Sequence, residues 1–521
     1  MPSSKTIGIV GGGISGLYAA LLLRREGHKV TVFEANDRVG GRIYTHRFQP
    51  LYKDEEVYFE AGAMRIPRSS LHRRVYHLIR YLNTHGVRQD KVELIPYILE
   101  HENNESFVRG QKVKPSEPER IAGFDLPEEF RGRSARALLS EVITPWLETL
   151  RNDFDQGFER ILAYDELSFR QYLRFVSRWP HDVIEFVELW CSQSNQYDLS
   201  FTEIIMQNLD FDTEVWATIR GGMSRLPESA ANLLDTHEIH LNSPITSITE
   251  LADGRIALKT SGIPPHTETF DKVILAIPPA SLHNIPERPL WSFMKQQAIR
   301  GSHFEPLYKM GLHFRTRFWE HTPCPSFGGQ SITDLRFRWI VYPSHDLGGS
   351  SSGVLLLYSW MNDANRWLAM PRGERVSLAL HDLQDFFSDT CVDVYEQFIT
   401  AFDVPWSCEK ATGDAMFLPG QFSRFHHIAG LREGNIFFAG EHLSKHHTWI
   451  AGAIDSTLDC VADLLDRKDL AALGEEFLSP TAQNRDVKRD FESRYYAYAI
   501  PQHNNLQYVV EPSGVMPSLR G

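Results

Sequence analysis

A mixed α/β fold is predicted by three features of the 521-residue sequence. Near the N-terminus, an apolar strand, a glycine-rich turn, a helix and a second strand follow one another. Helical periodicity dominates the middle of the chain, and short apolar strands dominate the stretch from about 290 to 405. A chain of this length that is 42% hydrophobic can bury a large core but exceeds one compact unit, so we expect two or three lobes.

Composition and charge argue against several classes of partner. The chain has 54 basic and 67 acidic residues and a formal net charge of −13, whereas nucleic acid and anionic membrane surfaces require basic patches. The longest apolar runs fall far short of the ~20 residues of a membrane-spanning helix, and no basic and apolar leader precedes the first strand. We therefore expect a soluble, cytoplasmic protein with no nucleic-acid or membrane partner.

The cysteines do not indicate a metal centre. Five cysteines form no CxxC pair, and an odd number does not suit a disulfide framework. We expect no metal site and reduced, scattered thiols at Cys191, Cys324, Cys391, Cys408 and Cys460.

The N-terminal segment predicts a dinucleotide site. "TIGIV" is a short apolar run typical of a strand buried on both faces, and Gly11, Gly13 and Gly16 then form GxGxxG at the start of a helix. The second strand, "KVTVFEA", ends at Glu34. In this arrangement the glycines allow a tight turn, close backbone approach and close helix packing, while the acid accepts hydrogen bonds from ribose hydroxyls. The alternative is a glycine-rich turn without a ligand.

Three motifs continue this pattern along most of the chain. They are "ANDRVGGRIYT" directly after Glu34, "FEAGAMRIP" at residues 59–67, and "NIFFAGEHLS" at residues 435–444. In this order they resemble the flavin amine oxidase superfamily, and in particular its L-amino acid oxidases. The resemblance implies non-covalent FAD and assigns it to Gly11, Gly13, Ile14, Ser15, Gly16, Glu34, Ala35, Gly40, Gly41, Arg42, Gly62, Ala63, Met64, Arg65, Ile245, Gly440, Glu441, Trp449, Ile450 and Ala453.

The resemblance also implies a domain organisation. A discontinuous Rossmann-type FAD-binding domain would comprise residues 1–70, 218–290 and 406–467. A substrate-binding domain, with a mixed sheet over the flavin, would comprise 71–111 and 291–405, and a helical insert would comprise 112–217. The role of the C-terminal tail, 468–521, cannot be inferred from its sequence, although docking on the body or on a second subunit would both suit it.

Four residues are implied to act directly on the substrate or beside the flavin. Arg65 stands where the resemblance places an arginine that grips the substrate carboxylate, a task suited to a planar guanidinium; the alternative is a structural ion pair. Tyr358 would meet the same carboxylate, or be an ordinary core tyrosine. Lys309 would hold a water beside the flavin, since a mid-strand lysine among apolar residues needs a partner. Trp449, in "KHHTWIAGA", would form the pocket wall.

Two small or aromatic residues complete the expected substrate contacts. Ala451, close behind Trp449, would let the following helix approach the flavin and contact the substrate. Trp216 would border the pocket, with core packing an equal alternative.

The remaining positions bear on the kind of substrate. Gly413 stands where amine oxidases carry a second aromatic residue, which we interpret as extra room for an amino acid, and Thr412 stands where some relatives carry a flavin-linked cysteine. Asp414 could face the side-chain pocket, but we expect it to cap a turn. His446 and His447 could act in the site, but we expect a solvated loop.

Together these features predict an enzyme that oxidises L-amino acids with O2 to 2-oxo acids, ammonia and hydrogen peroxide, and that forms a homodimer. The first alternative is a flavin 2-monooxygenase that decarboxylates the amino acid to an amide. An amine or polyamine oxidase and a non-catalytic flavin-binding protein are further alternatives. The side-chain preference stays open at this point.

Overall fold

One parallel sheet and several antiparallel sheets make up the fold, and the mixed α/β prediction is confirmed. The computed structural model describes residues 4–51, 56–115, 125–193, 195–261, 265–349, 351–407 and 413–467. Thr412, on which the expectation of a non-covalent flavin depends, and the tail from 468 to 521 lie outside the described residues.

The parallel sheet is assembled from chain segments that are far apart in sequence. Its five strands, in spatial order, are Ile239–His240, Lys29–Phe33, Thr6–Val10, Lys272–Leu275 and Ile436–Phe438. The central strand, "TIGIV", pairs Ile9 with Val32 on one side and with Ile274 on the other. Because parallel strands all end at the same edge, the residues that follow them are brought together where such sheets bind ligands.

Two helices from opposite ends of the chain pack together beside this sheet. Helices Ile14–Arg25 and Ile450–Leu464 are in contact and share one hydrophobic core cluster with the two strands nearest the N-terminus. The Ser15 hydroxyl donates a hydrogen bond to the Ala453 carbonyl at 3.3 Å. The first and the last motifs of the sequence are therefore neighbours in the fold.

A five-stranded antiparallel sheet forms the second large layer. Its strands, in spatial order, are Gln330–Ile332, Trp339–Val341, Gly353–Trp360, Leu307–Phe314 and Phe398–Pro405. Every residue of Leu307–Phe314 is buried, including the polar Lys309 and His313. The register places Lys309 opposite Tyr358 on one neighbouring strand and Val404 on the other.

Smaller sheets connect these layers. One three-stranded sheet contains Ile245–Glu250, Ile256–Thr260 and Thr267–Phe270, and another contains Ile66–Pro67, Trp216–Ile219 and Leu94–Pro96. The two-stranded pairs are Thr45–Arg47 with Tyr58–Glu60, Phe304–Glu305 with Asp414–Ala415, and Ser106–Val108 with Gln111–Val113.

The middle of the chain is helical, as its periodicity predicts. Side-chain caps begin several of these helices, since the Ser134 and Ser200 hydroxyls accept hydrogen bonds from Ala137 N and Glu203 N. The α-helices here are Ala135–Asn152, Phe154–Leu162, Phe169–Gln171, His181–Trp190 and Phe201–Phe211, with a π-helix at Tyr172–Val176.

Further helices connect the strands on either side of this region. The α-helices are Arg73–His85, Arg225–Ala231, Pro279–His283, Phe293–Gly301, Met361–Leu368, Arg372–Phe386, Val394–Gln397 and His427–Gly430. Short 3-10 helices lie at Arg88–Asp90, Glu128–Phe130, Gln196–Asp198, Thr236–Glu238, Phe318–Glu320 and Glu441–Leu443, and a second π-helix lies at Phe422–His426.

Two general expectations can be compared with these elements. Among the helices in the described ranges, none combines the length and the hydropathy that crossing a membrane requires. The four cysteines within those ranges, Cys191, Cys324, Cys391 and Cys460, are free thiols.

Candidate active site

In the glycine turn at the edge of the parallel sheet, two glycines have no space for a side chain, and the glycine between them has free space. A Cβ on Gly11 would lie 2.5 Å from the Ala276 carbonyl oxygen, and a Cβ on Gly16 would lie 2.0 Å from the Gly11 carbonyl oxygen. A Cβ on Gly13, in contrast, would meet no atom within 4 Å. The turn therefore packs tightly on the protein at two glycines and leaves a cradle at the third, which fits a dinucleotide phosphate at the start of helix Ile14–Arg25.

Glu34 lies beside this turn at the end of its strand. It is buried, and its carboxylate accepts hydrogen bonds from Gly12 N at 2.7 Å and from the backbone and side-chain nitrogens of Asn36 at 2.8 and 2.7 Å. The carboxylate and the adjoining Ala35 are thus fixed at the strand end where a ribose would lie.

The second glycine pair returns to the same turn. Gly40 N donates to the Gly12 carbonyl at 2.8 Å, and a Cβ on Gly41 would lie 3.5 Å from the Gly13 Cα. Both glycines have positive φ angles, +101° and +55°, which side chains with a Cβ rarely adopt. The two glycine-rich loops predicted to hold one cofactor are therefore in contact.

The third motif reaches this region through an ion pair. Arg42 Nη1 lies 2.5 Å from Glu441 Oε1, and it also donates to the Gly413 carbonyl at 3.0 Å. Glu441 accepts a further hydrogen bond from Thr448 N at 2.9 Å. Burial alone would raise the pKa of Glu441, but Arg42 and then His442 and His447 lower it below its usual value, so the carboxylate is charged.

Lys309 joins the antiparallel sheet to the "FEAGAMRIP" motif. Its ammonium donates to the Gly62 carbonyl at 2.6 Å and approaches the Glu60 carbonyl and the Met64 sulfur at 3.5 and 3.4 Å. Burial, followed by repulsion from Arg65, lowers the pKa of Lys309 to about 7. Lys309 can therefore exist as a neutral amine near neutral pH.

Arg65 is a buried guanidinium among aromatic rings. Only 8% of the residue is exposed, and Nη1 donates a long hydrogen bond of 3.4 Å to the Tyr97 hydroxyl. No carboxylate within the described ranges pairs with it. The rings within 5.1 to 5.7 Å of its Cζ are those of Tyr97, Phe211, Trp216 and Trp339. A buried charge without a counter-ion is costly, so this arrangement is suited to receive an anion.

Tyr358 lies across the sheet from Lys309. The Lys309 ammonium is 4.5 Å from the centre of the tyrosine ring, and the rings of Trp339 and Trp360 pack against that ring at 5.7 and 5.2 Å. Burial, followed by the Asp414 and Glu305 carboxylates, raises the pKa of Tyr358 well above its usual value. The hydroxyl therefore keeps its proton and can donate a hydrogen bond.

Trp449 stands at the start of helix Ile450–Leu464, near Arg65. Its ring lies 6.0 Å from that of Trp216 and 5.4 Å from that of Phe211, both of which also face the Arg65 guanidinium. The indole nitrogen is buried and has no hydrogen-bond partner in the described part of the chain. The structure thus brings Arg65, Trp216 and Trp449 together.

Ala451 and Ile245, which were expected to contact the substrate and the flavin, both pack in hydrophobic clusters. Ala451 is fully buried in the core around helix Ile14–Arg25, so its methyl group has no exposed surface for a substrate, and the sequence prediction for it needs correction. Ile245 begins a strand of a three-stranded sheet and packs with Val10 and Phe33, close to the ends of two strands of the parallel sheet.

The expectation that Gly413 leaves room beside the substrate is wrong. A Cβ there would lie 1.6 Å from the Glu305 carbonyl oxygen, so the glycine is required by backbone packing. The expectation that Asp414 caps a turn is also wrong, because Asp414 belongs to a short strand that pairs with Phe304–Glu305. Burial, and then repulsion from Glu441, raise the pKa of Asp414 to about 7.

The expected solvated loop at the two histidines is also wrong, because both imidazoles are buried. Nδ1 of His446 lies 3.0 Å from an oxygen of Asp210, and Nδ1 of His447 lies 2.8 Å from Glu203. Burial alone would lower the pKa of both histidines, but these carboxylates raise it. Their partners are more than 230 positions away in sequence, so no local pattern indicated them.

Sequence reasoning also missed residues that surround this site. His72 shares the Asp210 carboxylate with His446, at 3.1 Å, and its ring meets that of Trp449 edge-on at 5.0 Å. Glu305 is buried behind Tyr358 and accepts a hydrogen bond from Gln196. Nothing in the sequence around either residue predicts these contacts.

The family model described as flavin containing amine oxidoreductase matches residues 14–465. A Dictyostelium discoideum protein named as a bifunctional amine oxidase is 30% identical over 96% of this chain, although the chain spans only 49% of that relative. Two L-amino-acid oxidases are each 29% identical to this chain. The match to the Siganus canaliculatus protein covers 89% of this chain and 85% of that protein. The match to the Daboia russelii protein covers 88% of this chain and 89% of that protein.

Solved structures show the same fold at lower sequence identity. A putrescine oxidase bound to putrescine superposes with a TM-score of 0.69 at 18% identity, over 89% of this chain and all of the other. Cyclohexylamine oxidase from Brevibacterium oxydans superposes with a TM-score of 0.66 at 18% identity, over 92% of this chain and all of the other.

Proposed function

The chain belongs to the flavin-containing amine oxidoreductase family, and from this premise we propose that it is an FAD-dependent L-amino acid oxidase. The proposed reaction converts an L-amino acid, water and O2 into a 2-oxo acid, ammonia and hydrogen peroxide. When bound, the flavin supplies the two-electron oxidation of the substrate Cα–N bond and the transfer of those electrons to O2. The protein's own residues bind, orient and shield the substrate.

The observation that carries this proposal is the buried Arg65 guanidinium, for which the described residues provide no carboxylate. A planar guanidinium with two parallel donors matches a carboxylate, and the aromatic rings around Arg65 exclude water that would weaken the pairing. An α-amino acid brings such a carboxylate, whereas a simple amine would leave the buried charge uncompensated. This favours an amino acid over the amines named for the structural neighbours.

The neighbouring groups have complementary tasks. The protonated Tyr358 hydroxyl can donate a hydrogen bond to the substrate, and Trp449 and Trp216 give the pocket flat apolar walls that fix its orientation. Lys309, with a pKa of about 7, can hold a water molecule and exchange a proton with it during hydrolysis of the imine product.

FAD would lie along the edge of the parallel sheet, across the contacts between the glycine loops. Gly13 would face the pyrophosphate, Glu34 the adenosine ribose, and Arg42 and Glu441 the middle of the cofactor. We propose that FAD is held without a covalent bond, because Thr412 stands where some relatives carry a linking cysteine.

Domain organisation and assembly belong to the same proposal. The domains would be divided as the sequence suggests, with residues 1–70, 218–290 and 406–467 forming the FAD-binding part. We also propose a homodimer. In support, Leu290 is 95% exposed and Phe293, three positions later, is 73% exposed, and exposed apolar side chains that form a patch are a feature of subunit interfaces. Light scattering in solution measures the assembly directly.

A peroxide assay tests the proposed function. The purified holoenzyme is given L-phenylalanine, D-phenylalanine, phenethylamine and the L-phenylalanine methyl ester, followed by the other L-amino acids. We expect peroxide from L-amino acids and little from the D form, the amine or the ester. Preference for the amine or the ester would contradict the proposal. Release of CO2 with an amide product would indicate the 2-monooxygenase instead.

A further inference from the structure

We infer that Glu305 and Asp414 form a subsite for a cationic substrate side chain, so that the preferred substrates are basic L-amino acids. The inference rests on the L-amino acid oxidase function proposed above and adds the substrate class to it. Its starting point is a pair of carboxylates that the proposed chemistry does not use.

The two carboxylates lie side by side on paired strands. Glu305 and Asp414 are directly opposite each other in a two-stranded antiparallel pair, where opposing side chains project from the same face. Glu305 is only 3% exposed, and the Asp414 Oδ1 atom is buried. Like charges in this arrangement destabilise a sheet unless something neutralises them.

The described residues supply too few partners for this pair. Glu305 Oε1 accepts one hydrogen bond, from Gln196 Nε2 at 2.8 Å, while Asp414 Oδ1 has no hydrogen-bond partner in the described ranges. The nearest cations have other contacts, since Arg42 pairs with Glu441 and Lys309 donates to the Gly62 carbonyl. Buried polar atoms are rarely left without a partner, so the pair has capacity for a donor from outside the chain.

The pair lies within electrostatic reach of the substrate residues. Both carboxylates raise the pKa of the Tyr358 hydroxyl, and Arg65 opposes them at the same hydroxyl. Along the chain, Glu305 precedes Lys309 by four residues, a distance of at most about 14 Å between the Cα atoms. Tyr358 is therefore within electrostatic reach of Arg65 and of the acid pair. Burial, followed by the Asp414 carboxylate, raises the pKa of Glu305 well above its usual value, so the pair keeps a proton that an incoming cation would displace. With that proton displaced, the site has a cationic end at Arg65 and an anionic end at the acid pair.

This polarity matches an amino acid with a basic side chain. Its carboxylate would bind Arg65, and its ammonium or guanidinium group would supply the donors that the acid pair lacks. The indole of Trp360, which packs against the Tyr358 ring and against Leu307, offers an apolar surface for the methylene groups between the two ends.

A divalent cation fits the pair less well than an organic cation. Such ions require several oxygen ligands. In the described residues, however, the only group of three or more His, Cys, Asp or Glu ligand atoms within 4.8 Å of one another is His381, Asp382 and Asp385. The acid pair therefore has two carboxylates but no third ligand of that kind within reach.

Charge alone should decide the preference, so the test uses pairs of substrates that differ in little else. L-lysine is compared with L-norleucine, and L-arginine with L-citrulline, in peroxide assays of the native holoenzyme. We expect kcat/KM for the charged member of each pair to be at least about 10-fold higher, as for a buried charge pair. In Glu305→Gln and Asp414→Asn, this ratio should fall towards one.

A binding measurement keeps the test independent of catalysis. 6-Aminohexanoate and hexanoate share a carboxylate and a chain length but differ in the terminal ammonium, and their dissociation constants follow from quenching of tryptophan fluorescence. The amino compound should bind the native protein at least about 10-fold more tightly, and both variants should lose that difference. Glu320→Gln is the matched control, because Glu320 is equally buried but pairs with Arg317, and it should keep the native ratios.

The outcomes separate this inference from the proposed function. Equal oxidation of lysine and norleucine, together with equal binding of 6-aminohexanoate and hexanoate, overturns the subsite and leaves the oxidase function standing. Oxidation of amines but of no L-amino acid overturns the proposed L-amino acid oxidase function. The comparison of 6-aminohexanoate with hexanoate then still shows whether Glu305 and Asp414 bind a cation. If one variant fails to fold, the other variant and the native ratios decide the question.

Discussion

At Arg65 a guanidinium is enclosed by four aromatic rings, and the described residues offer it a tyrosine hydroxyl but no carboxylate. The sequence motif "GAMRIP" suggested a carboxylate clamp, and the surroundings make an anion the missing partner. Arg65 is therefore the single residue at which an amino acid oxidase and an amine oxidase should differ most.

Replacing Arg65 by lysine should weaken amino acid oxidation while leaving the flavin bound. Lysine keeps the charge but loses the planar pair of donors. We therefore expect kcat/KM to fall by an amount that corresponds to ~2–4 kcal/mol of lost transition-state stabilisation. Part of the loss should appear in kcat, because the clamp also orients Cα. Steady-state peroxide assays with an amino acid and its methyl ester measure this. The ester should lose far less, and equal losses for acid and ester would show that Arg65 is structural.

Arg317→Lys is the matched control for this experiment. Arg317 is also buried, but it pairs with Glu320, three residues further along the chain. The control should alter stability without changing the discrimination between acid and ester.

Lys309 should give the enzyme an ionisation near neutral pH. Burial and Arg65 lower its pKa from 10.5 to about 7, so the amine is charged below that pH and neutral above it. If neutral Lys309 assists proton exchange with water, kcat for a neutral amino acid should rise through pH 7, and Lys309→Met should be slower and lack this rise. Stopped-flow and steady-state rates from pH 5.5 to 9 provide the measurement.

The groups that face Lys309 require two controls. Arg65, Glu60 and Asp414 all act on its pKa, and the pKa of Asp414 is itself about 7. Asp414→Asn should keep the rise but move it to lower pH, because the Asp414 carboxylate raises the pKa of Lys309. Lys295→Met should keep the rise as well, because Lys295 is also buried and donates to backbone carbonyls, but at Ala429 and Leu431. An unchanged profile in Lys309→Met would exclude Lys309 as the titrating group.

At the scale of single elements, the strand–turn–helix unit was the most predictable part of the chain. Its periodicity and its glycines require no partner from elsewhere to specify strand Thr6–Val10, the turn and helix Ile14–Arg25. The short strand Asp414–Ala415 was not predictable, because it is defined only by its pairing with Phe304–Glu305, more than 100 residues earlier.

Two glycine substitutions in this unit should have opposite effects. A Cβ on Gly13 meets nothing within 4 Å, so Gly13→Ala should leave the apoprotein as stable as the native one but weaken flavin binding at least about 10-fold by occupying the phosphate cradle. A Cβ on Gly16 would lie 2.0 Å from the Gly11 carbonyl, so Gly16→Ala should destabilise the apoprotein by ~1–3 kcal/mol.

Thermal unfolding of the apoproteins and flavin titration distinguish these effects. Gly27→Ala serves as a control for the loss of a glycine, since it lies after the helix with open space around its Cβ position but has a positive φ of +85°, a strained angle for alanine. It should lower stability slightly and leave flavin affinity unchanged. Full flavin affinity in Gly13→Ala would place the cofactor elsewhere.

For the whole molecule, the proposed cofactor edge is built from three distant parts of the sequence. Strands near residues 6–33, 272–275 and 436–438 meet in one sheet, so a ligand along its edge connects the two ends of the chain. Flavin binding should therefore stabilise the global fold and not one local element.

Removing the flavin tests both the non-covalent link and this stabilisation. Acid precipitation should release the yellow colour into the supernatant, and the apoprotein should unfold at a lower temperature than the holoprotein. Added FAD should restore about 2.7 kcal/mol of stability at 100 times its dissociation constant, measured by denaturant unfolding. Colour that stays in the pellet would demonstrate a covalent link, and an unchanged Tm would show that the cofactor does not join the segments.

Features that depend on neighbouring residues could be predicted from the sequence. The alternation of apolar positions and the glycine turn indicated the mixed α/β fold, and three flavin motifs indicated the family by resemblance, because each motif is a short run of consecutive residues even though the three are spread over most of the chain. Arg65 and Lys309 were assigned by the same resemblance, and their apolar sequence surroundings supported the assignment, since a charged residue inside an apolar stretch needs a partner.

Features that depend on pairs of residues far apart in the sequence became visible only in the folded chain. The tertiary structure placed His446 and His447 against Asp210 and Glu203 where a solvated loop was expected, because burial beside a carboxylate cannot be read from the two histidines alone. It likewise showed that Gly413 packs on the Glu305 carbonyl, and that Asp414 lies opposite Glu305. The electrostatics of a buried group depend on which charges lie near it in space, and the fold alone sets those distances.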